Sequence, residues 1–212
     1  MEESLGNLIN SLEISKKSEL NGLIKERISE FKEVGNSTSS DIFKELCFCI
    51  LTANCAAEKC MYVQEELADE VLKLNEEELA SRLKELGYRF PNVRAKYIYE
   101  AREYAKNLKE MIQSFASSED LRLFLAKNIK GLGFKEASHF LRNIGYEDLA
   151  IIDFHIIDVL SSHKLLEKPK TITKKKYLEI EEILRKIGKT VNLNLAELDL
   201  YLWHMETGKI LK

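Results

Sequence analysis

Proline occurs only twice in the 212 residues, at Pro91 and Pro169, so little in this chain interrupts a helix. No cysteine follows Cys60. The four present, Cys47, Cys49, Cys55 and Cys60, fall within fourteen positions at spacings of two, six and five. Those spacings match no zinc or iron–sulfur pattern, and the apolar setting LCFCILTANC points to buried thiols; no metal and no cofactor is expected. No apolar run approaches the roughly 20 residues that span a bilayer. The first residues, MEESLGNLIN, lack the basic start of a secretory signal. A cytoplasmic protein with no membrane contact and reduced thiols is the expectation. Period-two alternation and hairpin turns are also missing, which argues against a sheet.

What is present is an ordinary globular composition, 45% hydrophobic and 32% charged, long enough to bury a sizeable core as one domain or two small subdomains. The net charge of −3 does not advertise a nucleic-acid binder. Charge is uneven, however: between Ser161 and Thr190 nine Lys or Arg stand against four Glu. Such an excess fits either a footprint for phosphates or a solvated helix face.

Helical periodicity recurs almost throughout, in segments such as LNGLIKERISEFKEV, DIFKELCFCIL, MYVQEELADEVLKL and RAKYIYEAREYAKNLKEMI. Start signals stand at Ser40-Asp41, Asn75 and Ser117-Ser118-Glu119, and stop glycines at Gly35, Gly87, Gly145 and Gly188. The chain is therefore predicted to be all-α. The polar run GNSTSS (35–40) is the first candidate boundary, and EKPKTITKKK a second.

The stretch KGLGFKEASHFLRNIGYEDLAIIDFH carries the chemistry. Gly131-Leu132-Gly133 reads as a tight turn between two helices, and its N–H groups at a helix start would suit a phosphate. Lys135 falls in the first turn of the second helix, against the macrodipole, a poor place for a merely structural cation. Asp153 follows the apolar run LAII. It suits a helix N-cap, and equally an active-site carboxylate at the edge of an apolar segment.

In register, KGLGFKEA (130–137) and IIDFH (151–155) resemble the helix-hairpin-helix and Gly/Pro-Asp signature of base-excision DNA glycosylases, down to the eighteen positions from Lys135 to Asp153. ILTANCAAEKC resembles the helix end that lines a lesion pocket, and LGYRFPNVRAKYI the wedge segment of the superfamily. DLYLWHMETGKILK resembles the end of the compact 8-oxoguanine DNA glycosylase/lyases of archaea and some thermophilic bacteria; the likeness covers residues 38–212. Neither the four-cysteine iron–sulfur loop nor the N-terminal β domain of other relatives is present, and Lys130 stands where many relatives have proline.

The resemblance implies two helical subdomains flanking a DNA-binding active-site cleft, residues 1–37 with 150–212 and residues 38–149, with the helix-hairpin-helix at 121–145. It implies a bifunctional enzyme that flips 8-oxoguanine out of double-stranded DNA, excises it through a lysine Schiff base and cleaves the strand by β-elimination. Lys135 and Asp153 are the implied catalytic residues. Gly131, Gly133, Phe90, Asn92, Arg94 and His155 would meet DNA, and Tyr88 is a second candidate for stacking. Asn54, Trp203 and Lys212, through its carboxylate, would read the lesion. A monomer is expected. Two other readings stay open: a glycosylase for another oxidised base, and a non-catalytic helix-hairpin-helix module.

Overall fold

The structure, a computed structural model, describes residues 2–212. It is all-α: no strand occurs among the described residues. In chain order the helices are α1 (Glu2–Lys16), α2 (Leu20–Asn36), α3 (Ser39–Thr52), α4 (Ala57–Leu67), α5 (Glu70–Lys73), α6 (Glu76–Glu85) and α7 (Pro91–Ala101). A 3-10 turn (Arg102–Tyr104) leads on to α8 (Leu108–Gln113), α9 (Ser118–Asn128), α10 (Phe134–Asn143), α11 (Phe154–Ser162), α12 (Lys174–Val191) and α13 (Leu195–Thr207).

Start signals act where the sequence places them, within a residue or two. Asn75 accepts from the Glu78 N–H while Glu78 accepts from the Asn75 N–H, a reciprocal cap, and Ser117 accepts from Asp120 N. Thr38, not Ser40, caps α3. Two predicted continuous helices are broken. Ala68, in the left-handed region at φ 40°, closes α4, and the 94–112 segment splits at the 3-10 turn, where Arg102 Nε donates to Val71 O at 2.6 Å. Gly35 and Gly188 do not stop helices but lie inside α2 and α12. A Cβ on Gly35 would come within 2.0 Å of Ile144 O, and one on Gly188 within 2.7 Å of Leu193 O, so both serve close backbone approach.

The chain forms two compact units, one of Met1–Phe31 with Tyr146–Lys212, the other of Lys32–Gly145. The sequence reading put the divisions at 37/38 and 149/150. They fall earlier because the end of α2 is packed, through Gly35, onto the end of α10.

The Lys32–Gly145 unit is built around α3, whose residues 45–52 are buried without a break. A helix apolar on all sides belongs in the middle of a core, and α3 packs on α4, α7, α8 and α10. Its buried Glu45 is met by side chains: Asn143 Nδ2 donates at 2.7 Å and Gln64 Nε2 at 3.1 Å, and Arg142 donates to Asn143 Oδ1. This network fixes the C-terminal end of α10. In the other unit α12 packs on α1 and α13, and α11 on α13; Tyr201 donates to Asn21 Oδ1 at 3.1 Å, tying α13 to α2.

The α9–α10 hairpin is held by Arg122, almost fully buried, with its guanidinium 4.9 Å from the Phe134 ring and Nη1 3.3 Å from Ser138 Oγ. The turn closes at Gly131, whose φ is 89°. A Cβ there would meet Tyr97 Cδ2 at 2.7 Å and Ile50 Cγ2 at 3.3 Å. Replacing Gly131 by Ala is expected to destabilise the protein by at least about 1–2 kcal/mol from the backbone alone, with the clash added, read as a lower urea midpoint at unchanged slope. A wild-type midpoint would show that the turn relaxes freely.

Candidate active site

The residues singled out by sequence fall into two clusters, one in each unit. In the Lys32–Gly145 unit, Lys135 is the second residue of α10, directly after the hairpin turn. Its ammonium lies 3.7 Å from Glu136 Oε1 and remains partly accessible. Glu136 also accepts from Gly133 N at 3.1 Å, half of a capping box with glycine in the cap position. This glutamate was missed by the sequence reading, although its spacing, three residues past the cap, is a recognisable signal.

The turn differs from the expected phosphate cradle in two respects. Gly133 has an ordinary extended backbone, so only Gly131 of the pair needs positive φ. Two of the turn's N–H groups are engaged internally, Leu132 N by Ile129 O and Gly133 N by Glu136.

Opposite this turn lies the end of α3, whose last carbonyls have no partners within the helix and need donors from elsewhere. Tyr88 Oη donates to Leu51 O at 2.6 Å and Cys60 Sγ to the same oxygen at 3.3 Å; Arg94 Nη2 donates to Ala53 O at 2.8 Å. Tyr88 and Arg94 are buried, and both caps hold the α3–α4 turn. Asn54 sits exposed in that turn with φ 62°. Burial pushes the Tyr88 hydroxyl up. Burial likewise raises the Cys60 thiol strongly, and its hydrogen bond with Cys55 adds to this, while the nearby Lys135 and Arg94 cations oppose. Lys135, Arg94 and the two thiols thus share one neighbourhood. In the wedge segment Phe90 is half-buried with the Arg89 guanidinium 4.9 Å from its ring, and Asn92 is exposed at the start of α7.

In the other unit, Asp153 caps α11, accepting from Ile156 N at 3.0 Å. The run Leu149–Ile152 before it is buried and belongs to no helix or strand. Its backbone is satisfied by α12: Glu181 accepts from Ala150 N at 2.9 Å, and Tyr177 Oη donates to Ala150 O at 2.7 Å while accepting from Ile152 N at 3.2 Å. Neither residue stands out in sequence. His155 stacks on exposed Phe154 with centroids 4.0 Å apart and meets Trp203 edge-on at 5.6 Å. Trp203 and Lys212 are each half-buried. Part of the local basic excess is neutralised, Lys176 by Glu179 and Lys168 by Asp158. Among the described residues no group of three or more His, Cys, Asp or Glu is arranged to hold a metal ion, and no helix is long and apolar enough to cross a membrane.

Residues 24–193 match the helix-hairpin-helix family described as 8-oxoguanine DNA glycosylase. Over 206 residues the chain is 52% identical to the 8-oxoguanine DNA glycosylase/AP lyase of Methanocaldococcus jannaschii, covering 97% of this chain and 99% of that protein. The fold is similar to the crystal structure of the M. jannaschii 8-oxoguanine glycosylase/lyase in complex with a 15mer DNA containing 8-oxoguanine, with a TM-score of 0.94, 51% identity and coverage of 97% and 99% of the two chains. The 8-oxoguanine DNA glycosylase of Thermotoga maritima is similar at a TM-score of 0.91 and 42% identity, covering 98% of this chain and all of that one (100%). With matches of this extent to both sequence and fold, the chain belongs to the 8-oxoguanine DNA glycosylase family.

Proposed function

We propose that this protein excises 8-oxoguanine from double-stranded DNA and then cleaves the strand at the resulting abasic site. The observation that carries the reading is the end-to-end match to glycosylase/AP lyases, with a lysine in the first turn of α10 immediately after the hairpin.

A base stacked in a duplex shields its sugar, so the nucleotide must leave the stack at a cost of a few kcal/mol. The Lys135 amine then attacks C1′, forming a C–N bond as the glycosidic bond breaks and the damaged base departs. The amine stays attached as a Schiff base, which activates the C2′ proton for loss and lets the 3′-phosphate leave. Asp153 stabilises the positive charge that develops on the sugar, an electrostatic role for which a fixed N-cap carboxylate is already oriented. Glu136 lies within ion-pair distance of the Lys135 ammonium and helps to place it.

Phosphate contacts carry no sequence information and suit the hairpin at Gly131 and Gly133, together with His155. Phe90 and Asn92 are the wedge candidates; Arg94 serves from inside, by holding the turn that carries Asn54. Asn54, Trp203 and Lys212 are the lesion readers. 8-Oxoguanine differs from guanine by a protonated N7 and a C8 oxygen, so an acceptor directed at N7–H discriminates between them. Conditions inside a prokaryotic cell, and action as a monomer, complete the reading.

Three outcomes are expected. Borohydride traps a covalent complex between the wild-type protein and an 8-oxoguanine·C duplex, and none with Lys135→Gln; trapping by that variant would overturn the nucleophile assignment. Asp153→Asn, which keeps an N-cap side chain, is expected to melt like the wild type while excision slows by about 10²–10³-fold. Asp153→Ala additionally loses about 1 kcal/mol of stability. Wild-type excision by Asp153→Asn would leave Asp153 as a cap only. Removal of Lys212 is expected to slow 8-oxoguanine excision and spare cleavage at a plain abasic site; equal loss on both would assign Lys212 to folding.

A further inference from the structure

Nothing in the proposed mechanism uses Phe154, yet at 66% it is the most exposed large hydrophobic side chain among the described residues. It is the first residue of α11, directly after Asp153. The buried face of that helix is made by Ile156, Ile157, Val159 and Leu160. With about 3.6 residues per turn, Phe154 falls well off this face and adds nothing to the core.

A lone exposed aliphatic such as Ile14 needs no explanation. Phe154 differs in being held. Its ring lies on the His155 imidazole, centroids 4.0 Å apart and planes 37° from parallel, and His155 in turn meets Trp203 edge-on at 5.6 Å. One face of the phenyl ring is therefore backed while most of the ring stays open to water. Side chains on a helix tilt toward its N-terminus, so a ring at the first position leans to the end where the Asp153 carboxylate lies. A large aromatic surface, already oriented, thus stands beside a proposed catalytic group.

We propose that Phe154 is a stacking residue for the nucleobase next to the flipped nucleotide, in the same strand. When a nucleotide leaves the stack, each of its two neighbours in the strand loses a partner, which leaves one for an aromatic besides the wedge. Every base has a π-face, so such a contact adds affinity without selecting sequence. The order of the rings points to a neighbour and not to the lesion itself: Trp203 is the proposed lesion reader, and His155, in contact with both rings, separates Phe154 from it. The backing imidazole orders the phenyl ring before DNA arrives, which lowers the cost of fixing it on binding. The inference rests on the proposed function for the identity of the ligand, double-stranded DNA with one nucleotide flipped out.

The test uses the full-length protein and a duplex carrying a tetrahydrofuran abasic analogue, which lacks the C1′ hydroxyl and forms no Schiff base. Wild type and Phe154→Ala are titrated by fluorescence anisotropy against this duplex and against two more that also lack the base on its 5′ or its 3′ side. On the first duplex Phe154→Ala is expected to raise Kd about tenfold. On one of the other two the difference is expected to shrink to within about twofold, because the partner of the ring is gone. Phe154→Leu, which keeps apolar bulk without a π-face, is expected to lose nearly as much as alanine, and Phe154→Tyr to bind like the wild type. An equal loss on all three duplexes would make the ring a general surface contact and overturn the assignment, as would wild-type affinity in the alanine or leucine variant. A protein that excises no 8-oxoguanine yet shows the base-dependent loss would sink the functional reading and leave the stacking residue standing.

Discussion

The way α3 ends governs much of the Lys32–Gly145 unit. A helix buried on all sides cannot send its last carbonyls to water, and each one left without a donor costs about 1–3 kcal/mol. Tyr88, Cys60 and Arg94, from three different segments, meet Leu51 O and Ala53 O. Those bonds hold the α3–α4 turn, set the left-handed Asn54 at its tip, and bring Arg94 against the glycine turn that precedes Lys135. The carbonyl end of α3 also carries partial negative charge, which suits the two cations gathered near it.

Lys135 is positioned from both ends of its helix. At the far end Asn143 joins α10 to the buried carboxylate of Glu45; at the near end Gly131 lets the turn lie against Tyr97 and Ile50, with Arg122 filling the hairpin beneath Phe134. Asp153 is placed by the same logic in different materials. Its apolar approach has no neighbouring strand, so Tyr177 and Glu181 act as a side-chain substitute for one, delivering the carboxylate to the start of α11. Of the two proposed catalytic groups Asp153 is thus also structural, as a cap, while Lys135 stands in a first helical turn against the macrodipole. Conservative variants separate the two roles better than alanine does.

Helix existence was legible from periodicity, and helix starts from Asn75 and Ser117, because both depend on residues within four positions of each other. Gly131 was legible because positive φ is nearly a glycine property. That Tyr88 and Arg94 are buried against the end of α3 was not legible, since an aromatic and an arginine in a loop look alike whether they point out or in. Glu181 and Tyr177 were invisible: they sit on an amphipathic helix like any other, and their partners lie 31 and 27 residues earlier for the Ala150 contacts.

By itself the sequence determined the all-α class, the hairpin, the register of Lys135 with Asp153 and, through that register, the family, because each is written in local spacing. Tertiary structure alone decided which polar side chains turn inward, as Tyr88, Arg94 and Cys60 do to meet the end of α3. Those outcomes depend on which distant carbonyl, carboxylate or thiol packing brings within about 3 Å, the reach of a hydrogen bond, and no spacing along the chain encodes that distance.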